Sequence, residues 1–332
     1  MSYNRVGKCK FYIDAVLLAR QWGEIDVSSY NPNDLCFLSP SKIKSFTLDS
    51  SYSDYVSIIF KNRHWTNALT HLFVLGHNFA SENIEIDYVS RNTTDSTDNV
   101  PLLDPTTPSL NGWNYYPLDQ CQDKNNKRVT FKMHREAGDQ GDTIQLCEIS
   151  AGWSWTAPHS PNLELTQSFS NESIKTQTTL GGHTLSNAGY NQQPSWIRQP
   201  WTGTAQTTTS VDRILAPVGR RSWNLKFSYL SDDNAKYPLF PITYNSENGI
   251  FLWLGGDDTN TPEEDTPSLY DIKKDFMNRV YHGTNGFMLP FIFQPNNDTE
   301  DYAICRINSD TASFNQVANN VYDISLDIVE VW

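Results

Sequence analysis

The chain has 332 residues, of which 38% are hydrophobic and 13% aromatic, and this composition excludes intrinsic disorder. Its formal net charge of −13 argues against a surface of clustered Lys and Arg, so we expect no nucleic-acid partner. Five cysteines without a CxxC spacing, and a start without an apolar leader run, predict free thiols in a reducing compartment and no membrane insertion.

The amino-terminal segment from Lys8 to Gly23 combines strand and helix signals. It opens with Phe11 and Ile13 in alternation and continues with Ala and Leu, which favour helix. We interpret the segment as a strand that leads to a short turn.

Strand signals dominate from residue 51 onward. "DYVSIIFK" and "LTHLFVLGHNF" each predict a strand, the second buried on both faces and ended by Gly76. "ENIEIDYVSR" alternates, with Ile84, Ile86 and Tyr88 on one side. Residues 91–128 are rich in Asn, Thr, Asp and Pro and predict long loops, whereas "KRVTFKMHRE" and "DTIQLCEIS" predict a strand pair joined by the turn "EAGDQG".

Two stretches of the carboxyl-terminal half give the strongest strand signals. Residues 150–218 are polar and aromatic, and no elements are assigned to them. In "GRRSWNLKFSYL" every second residue is apolar, which predicts a strand with one buried face. "NVYDISLDIVEVW" has the same pattern and predicts a terminal strand. The residues expected on the buried faces are Trp223, Leu225, Phe227, Tyr229, Tyr322, Ile324, Leu326, Ile328 and Trp332.

One helix is predicted between these two strands, in "EEDTPSLYDIKKDFMNRVYHG". Pro267 suits the first turn, and Gly283 suits the position just after the helix. Its apolar stripe consists of Leu269, Ile272, Phe276 and Val280. "GFMLPFIFQP" and "DYAICRI" follow as strands, so this part predicts a helix held among four strands.

The sequence predicts neither a metal site nor a cofactor. His64, His71 and His77 have spacings that fit no zinc motif, and we expect His71 and His77 to make hydrogen bonds at the ends of a buried strand. Acidic clusters such as Glu263–Asp265 lack the DxDxDG spacing of calcium loops. A carboxylate pair for glycan hydrolysis stays open, because such pairs are close in space rather than in sequence.

Four tryptophans lie in loop-like polar sequence. They are Trp153, Trp155, Trp196 and Trp201. Exposed aromatic rings stack on sugar rings or anchor protein interfaces, whereas buried ones build small cores under long loops. Both interpretations are kept, and the first makes these four residues candidate carbohydrate-binding residues.

Several motifs, taken in order, resemble known phage proteins. "LFVLGHNFASENIEIDY" resembles a strand–turn–strand segment of galactose-binding-like β-sandwiches in bacteriophage structural proteins. "TLGGHTL", "GRRSWNLKFSYL", "GFMLPFIFQP" and "NNVYDISLDIVEVW" are together similar to the distal-tail and minor-tail proteins of long-tailed phages. The first resemblance covers residues 50–90, and the second covers most of residues 180–332.

The resemblance implies a mainly β fold in two domains. Residues 1–35 and 216–332 would form a split tail-core, ring-forming domain with one helix, and residues 36–215 would form an inserted galactose-binding-like (jelly-roll) β-sandwich with long loops. Residues 1–35 would then pair with residues 216–332.

The leading functional hypothesis is a non-enzymatic virion structural protein of the phage tail tip, made in the host cytoplasm. It would form a ring, most simply a hexamer, between the tail tube and the baseplate hub proteins. The residues expected to build and assemble that domain are Trp223, Leu225, Phe227, Pro290, Phe291, Phe293, Ile324, Leu326 and Trp332. The alternative is a tail component that binds a host surface glycan, and a glycan hydrolase ranks last.

Overall fold

The computed structural model describes residues 6–21, 23, 25–28, 44–47, 53–60, 69–79, 84–91, 99–101, 112–117, 128–135, 143–163, 165–170, 174–188, 220–235, 242–245, 250–253, 275–309 and 311–331. This part of the chain is mainly β, and its paired strands are antiparallel. It contains an α-helix and a π-helix, and neither is long and apolar enough to cross a membrane. In chain order the elements are β1 (Lys10–Asp14), α1 (Ala15–Gln21), β2 (Ile25–Ser28), β3 (Lys44–Thr47), β4 (Ser53–Phe60), β5 (His71–Leu75), β6 (Ile84–Arg91), β7 (Asn99–Pro101), β8 (Trp113–Pro117), β9 (Arg128–Arg135), β10 (Thr143–Leu146), β11 (Glu148–Thr156), β12 (Thr166–Ser170), β13 (Ile174–Thr178), β14 (Thr184–Ala188), β15 (Arg220–Ser231), β16 (Ile242–Asn245), β17 (Ile250–Trp253), the π-helix (Met277–His282), β18 (Phe291–Gln294), β19 (Ala303–Ile307), β20 (Phe314–Ala318) and β21 (Val321–Glu330).

A ten-stranded sheet organises the molecule. Its order is β12-β15-β21-β19-β18-β1-β11-β5-β8, and β20 also pairs with β21. A five-stranded sheet has the order β2-β4-β9-β6-β7, and three pairs (β3–β10, β13–β14 and β16–β17) form separate two-stranded sheets. The four carboxyl-terminal strands predicted around the helix are therefore neighbours in one sheet.

Strand β1 lies in the middle of the ten-stranded sheet. On one side it pairs with β18, with Phe11 opposite Phe293, and on the other side with β11, with Phe11 opposite Trp155. The pairing with β18 is the one that the resemblance implies, and the pairing with β11 joins the same strand to the range expected as an insertion. The domain boundaries at residues 35 and 215 stay a prediction.

The segment after β1 is a helix rather than the predicted short turn. Asp14 caps α1, because its Oδ1 accepts the N–H of Leu17 at 3.0 Å. The helix buries its residues from Ala15 to Ala19, so its helix-favouring Ala and Leu residues also supply core surface. The residue preferences of this segment are compatible with both strand and helix, and burial of residues 15–19 favours the helix.

The two strongest strand predictions are confirmed as β15 and β21, but the alternation in β15 fails at Tyr229. The register between the two strands shifts between Phe227 and Leu230. Tyr229 takes a positive φ of 62° and is 80% exposed, while Leu230 is buried in its place. A β-bulge has moved this tyrosine from the predicted buried face to solvent.

The predicted helix is described only from its carboxyl-terminal end. The π-helix Met277–His282 is preceded by Phe276, and both Phe276 and Val280 are buried, as the stripe predicts. Gly283 ends it with a right-handed backbone (φ −64°) rather than a left-handed cap. A side chain at this position would collide with Arg279 O, which explains the need for glycine. Pro267, Leu269 and Ile272 lie outside the described residues.

Three further strand predictions meet different outcomes. Strand β5 is confirmed as buried along its whole length and followed by Gly76 with φ 68°. The predicted pairing of residues 127–136 with residues 142–150 is wrong, because β9 pairs with β4 and β6 while β10 pairs with β3. Residues 91–128, predicted to be loops, contain β7 and β8.

Most residues expected to build the carboxyl-terminal domain lie in the core. Pro290 is half-buried, and Trp332 lies outside the described residues. The buried ones are Trp223, Leu225, Phe227, Phe291, Phe293, Ile324 and Leu326. Their role in assembly stays a prediction.

Candidate aromatic binding face

One face of the ten-stranded sheet carries a cluster of aromatic rings, which we call the aromatic face. It consists of Tyr12 on β1, Phe73 on β5, Trp113 and Tyr115 on β8, and Tyr302 just before β19. Tyr115 lies directly opposite Phe73 in the β5–β8 register, so their side chains point to the same side of the sheet. The opposite side of the same strands holds the main core.

The rings of the aromatic face contact one another around Tyr302. Its ring centroid is 5.4 Å from that of Trp113, 5.5 Å from Phe73, 5.9 Å from Tyr115 and 6.0 Å from Tyr12. The Phe73 and Tyr115 rings are 4.8 Å apart. All of these separations lie within the range of favourable aromatic pairs. The cluster is therefore a rigid surface rather than a set of independent side chains.

Polar groups border the rings on the side of β18. The Tyr12 hydroxyl donates to Gln294 Oε1 at 2.8 Å, and Gln294 Nε2 donates to the carbonyl of Thr299 at 2.7 Å. The Nζ of Lys10 lies 4.7 Å from the centre of the Tyr12 ring. Burial, followed by the neighbouring tyrosines, raises the pKa of Tyr12, and burial raises the pKa of Tyr302, so both hydroxyls stay neutral donors.

Exposure increases toward β8. Tyr12, Phe73 and Tyr302 are buried, whereas Trp113 and Tyr115 are half-buried. Strand β8 is the terminal strand of the ten-stranded sheet within the described part of the chain. A ligand would therefore meet Trp113 and Tyr115 first, supported from behind by the buried rings.

The two histidines of this region are structural, as the sequence predicts. His71 and His77 are both buried, and His77 Nε2 lies 2.9 Å from Asn114 Oδ1. Burial lowers the pKa of His77 to about 4 and that of His71 well below its usual value, so both are neutral near pH 7. No group of three or more metal-ligating side chains occurs among the described residues.

The carboxyl groups of Asp14 and Glu148 influence each other, but both are buried and a substrate would not reach them. Asp14 is 2% exposed and Glu148 0% exposed, and burial first and Asp14 second raise the pKa of Glu148. Glycosidases need both carboxyl groups beside a bound sugar. These two carboxyls therefore do not form a hydrolytic site in this conformation.

Trp153 and Trp155 are not loop residues. Both lie in β11 and are buried, at 0% and 2% exposure. The indole N–H of Trp153 donates to the carbonyl of Arg279 at 3.0 Å, and that of Trp155 donates to the carbonyl of Asn234 at 3.3 Å. These indoles hold the sheet against the π-helix region and cannot stack on a sugar, so this prediction was wrong for both.

The other two predicted carbohydrate-binding residues, Trp196 and Trp201, lie outside the described residues. The residues that the sequence interpretation missed are Trp113 and Tyr115, because residues 91–128 were predicted to be loops. The segment "GWNYYP" contained a signal for a strand, because Gly112 is followed by three aromatic residues within five positions.

A comparison with protein-family models and with curated proteins finds no match. Among solved structures the chain is similar to a chitosan-binding module of a chitosanase/glucanase from Paenibacillus sp. IK-5, at 10% identity and a TM-score of 0.28 over 38% of this chain and 92% of that one. It is also similar to a CBM32-1 module of a family 31 glycoside hydrolase from Clostridium perfringens, at 12% identity and a TM-score of 0.26 over 39% and 94% of the two chains. A family 29 carbohydrate-binding module aligns at 16% identity and a TM-score of 0.24 over 39% and 75%.

Proposed function

We propose that the chain is a non-catalytic carbohydrate-binding protein and that the aromatic face receives a sugar ring. The observation that carries the proposal is the pair of half-buried rings, Trp113 and Tyr115, supported by buried Phe73 and Tyr302. A sugar ring presents C–H groups on its faces and hydroxyls around its rim. An aromatic platform with polar neighbours matches both surfaces.

The rigidity of the platform favours binding. Because Trp113 and Tyr115 are already packed against Tyr302, little side-chain freedom remains to be lost when a ligand binds. The Gln294 amide and the Tyr12 hydroxyl lie at the inner end of the face and already bond to each other. They orient the ring cluster.

A glycan array tests this proposal. Wild-type protein should be retained by a defined set of glycans, and Trp113→Ala and Tyr115→Ala should each lose that retention. Tyr229→Ala is the matched control, because Tyr229 is 80% exposed on the distant strand β15. Retention that survives both changes on the aromatic face, or that the control also removes, would refute the assignment.

The second candidate function is the phage tail-tip role that the resemblance implies. Its support is the pairing of β1 with β18, which places the first strand beside the carboxyl-terminal strands. Strand β12, at the other end of the sheet within the described part, is largely exposed, and Phe169 on it is 55% exposed. An exposed margin of this kind can pair with a copy of the same chain in a ring.

Light scattering coupled to size exclusion tests the second candidate. A ring predicts a closed oligomer, most simply a hexamer, at micromolar concentration or after addition of the tail-tube protein. A monomer under both conditions would exclude the ring while leaving carbohydrate binding open.

A further inference from the structure

Arg221 fastens the loop that leads into β19 to the body of the protein. Its Nη1 donates to Asp301 Oδ1 at 2.8 Å, and its Nη2 donates to the carbonyl of Tyr302 at 3.1 Å. Its backbone N–H and its Nε both donate to Glu330 Oε2, at 2.8 Å and 3.3 Å. One guanidinium therefore reaches three neighbouring residues, which the rigid fork of arginine permits and the single ammonium of lysine does not.

Arg221 and the ring of Tyr302 lie on opposite sides of the ten-stranded sheet. The guanidinium of Arg221 lies over the ring of Trp223, 5.0 Å from its centre, and Trp223 belongs to the main core. The Tyr302 ring belongs to the aromatic face. The hydrogen bond from Arg221 to the Tyr302 carbonyl therefore connects the core to the aromatic face.

Tyr302 lies outside the strand ladders that order its neighbours. The β18–β19 ladder starts at Ala303, opposite Phe293, and the β19–β21 ladder starts at Cys305. Residues 297–300, just before it, are exposed, and loops of this kind are more mobile than the strands they join. The Tyr302 side is nevertheless buried at 6% exposure. The hydrogen bond from Arg221 to its carbonyl supplies the anchor that strand pairing does not.

We propose that Arg221, acting through Asp301 and the Tyr302 carbonyl, is the residue that positions the aromatic face. The Tyr302 ring supports Trp113 and Tyr115, with ring centroids 5.4 Å and 5.9 Å away. A displaced Tyr302 would leave these two half-buried rings free to reorient, and the advantage of a preformed surface would be lost. The effect on glycan affinity rests on the proposed function, whereas the effect on the Tyr302 ring does not.

Asp301→Ala opens this contact without leaving a buried charge unpaired. The Asp301 side chain is 29% exposed, and Arg221 keeps its pairing with Glu330. Glycan affinity should fall by about two- to thirtyfold, the range expected of residues that act on a site through intermediates. Asp301→Asn keeps an oxygen that accepts from Arg221 and should restore most of the affinity. Arg221→Lys keeps a charge beside Glu330 but loses the fork, so it should resemble Asp301→Ala.

Asp323→Ala is the matched control for a general loss of stability. The Asp323 side chain is 16% exposed, pairs with Lys226 at 3.8 Å and accepts the N–H of Tyr229 at 3.1 Å. Asp323 and Glu330 lie near opposite ends of β21, about 24 Å apart at the usual rise of a strand. Asp323→Ala should leave glycan affinity unchanged. Equal losses of affinity in Asp301→Ala and Asp323→Ala would overturn the proposal, and so would wild-type affinity in Asp301→Ala.

Hydroxyl-radical footprinting of the free protein tests the position of Tyr302 without any glycan. Tyr302 should be oxidised more in Asp301→Ala than in the wild type or in Asp323→Ala. Equal oxidation in all three proteins would overturn the proposal even if the wild type binds a glycan. If the wild type retains no glycan, the proposed function fails, and the oxidation of Tyr302 alone decides whether Arg221 positions the ring.

Discussion

The Tyr12 hydroxyl donates a hydrogen bond to Gln294 Oε1 at 2.8 Å, across 282 residues of chain. The bond joins β1 to β18 where the two strands also pair through their backbones. It orders the inner end of the aromatic face and ties the amino-terminal strand to the carboxyl-terminal sheet. The candidate site therefore depends on contacts between distant parts of the sequence.

Truncation of Trp153 should destabilise the fold rather than act on a ligand. Trp153→Ala removes a buried indole and should cost about 3–5 kcal/mol, and Trp153→Phe should cost about 1–3 kcal/mol because the N–H bond to Arg279 is lost. Urea unfolding measures both. A Trp153→Ala variant with wild-type stability and a selective loss of glycan retention would restore the carbohydrate role that the structure removes.

Arg221 should be among the most sensitive charged residues of the described core. It lies 3.3 Å from Glu330 and 2.8 Å from Asp301, and it also donates to the carbonyl of Tyr302. Arg221→Met leaves Glu330 buried without its partner and should cost about 3–5 kcal/mol. The exposed Arg306 on the neighbouring strand β19 offers the control, since Arg306→Met should change stability by about 0.5 kcal/mol or less. Equal effects of the two changes in thermal unfolding would contradict this account.

Tyr229 should be replaceable with a gain in stability. Its positive φ of 62° is strained for an aromatic residue, and its ring is exposed. Asn tolerates this backbone conformation, so Tyr229→Asn should stabilise the fold by about 0.5–1 kcal/mol, while Tyr229→Phe should be neutral. Chemical denaturation distinguishes them. If Tyr229→Asn lowers the stability instead, the exposed tyrosine ring stabilises the fold by more than the positive φ at this position destabilises it.

Acid should destabilise the chain through His77. Burial lowers its pKa from 6.5 to about 4, so between these values the unfolded chain binds a proton that the folded chain does not. The contribution of His77 to stability is complete above pH 6.5 and falls by on the order of 3 kcal/mol as the pH drops through about 4. Histidine resonances followed by NMR give its pKa directly. A value near 6.5 would contradict the buried, neutral imidazole beside Asn114.

The spacing of apolar residues predicted the strands whose burial follows one regular pattern, either continuous or alternating, along their length. β5 is buried throughout, and β15 alternates until Tyr229, where the bulge breaks a pattern that the sequence still displays. The helix after β1 was missed because Asp14 was not recognised as a cap. The pairing partners of β9 and β10 were predicted wrongly. Consecutive strands often pair with each other, but here β9 and β10 pair with β4 and β3, which lie far earlier in the chain.

The candidate site was predictable only in part. Tyr12 and Phe73 lie in segments that the sequence identified as strands, and their burial follows from that. Trp113 and Tyr115 lie in a short strand that is stabilised by pairing with β5, about forty residues earlier in the chain. The composition of residues 91–128 predicted loops. No local sequence pattern shows that β8 pairs with a strand so far away in the sequence.

Footprinting with hydroxyl radicals, in the presence of a glycan selected on the array, measures the central claim most directly. Trp113 and Tyr115 should become protected from oxidation when the glycan binds, and Tyr229, exposed on β15, should be oxidised equally with and without it. Glycan binding that leaves Trp113 and Tyr115 unprotected, or that protects other residues in their place, would contradict the assignment of the aromatic face.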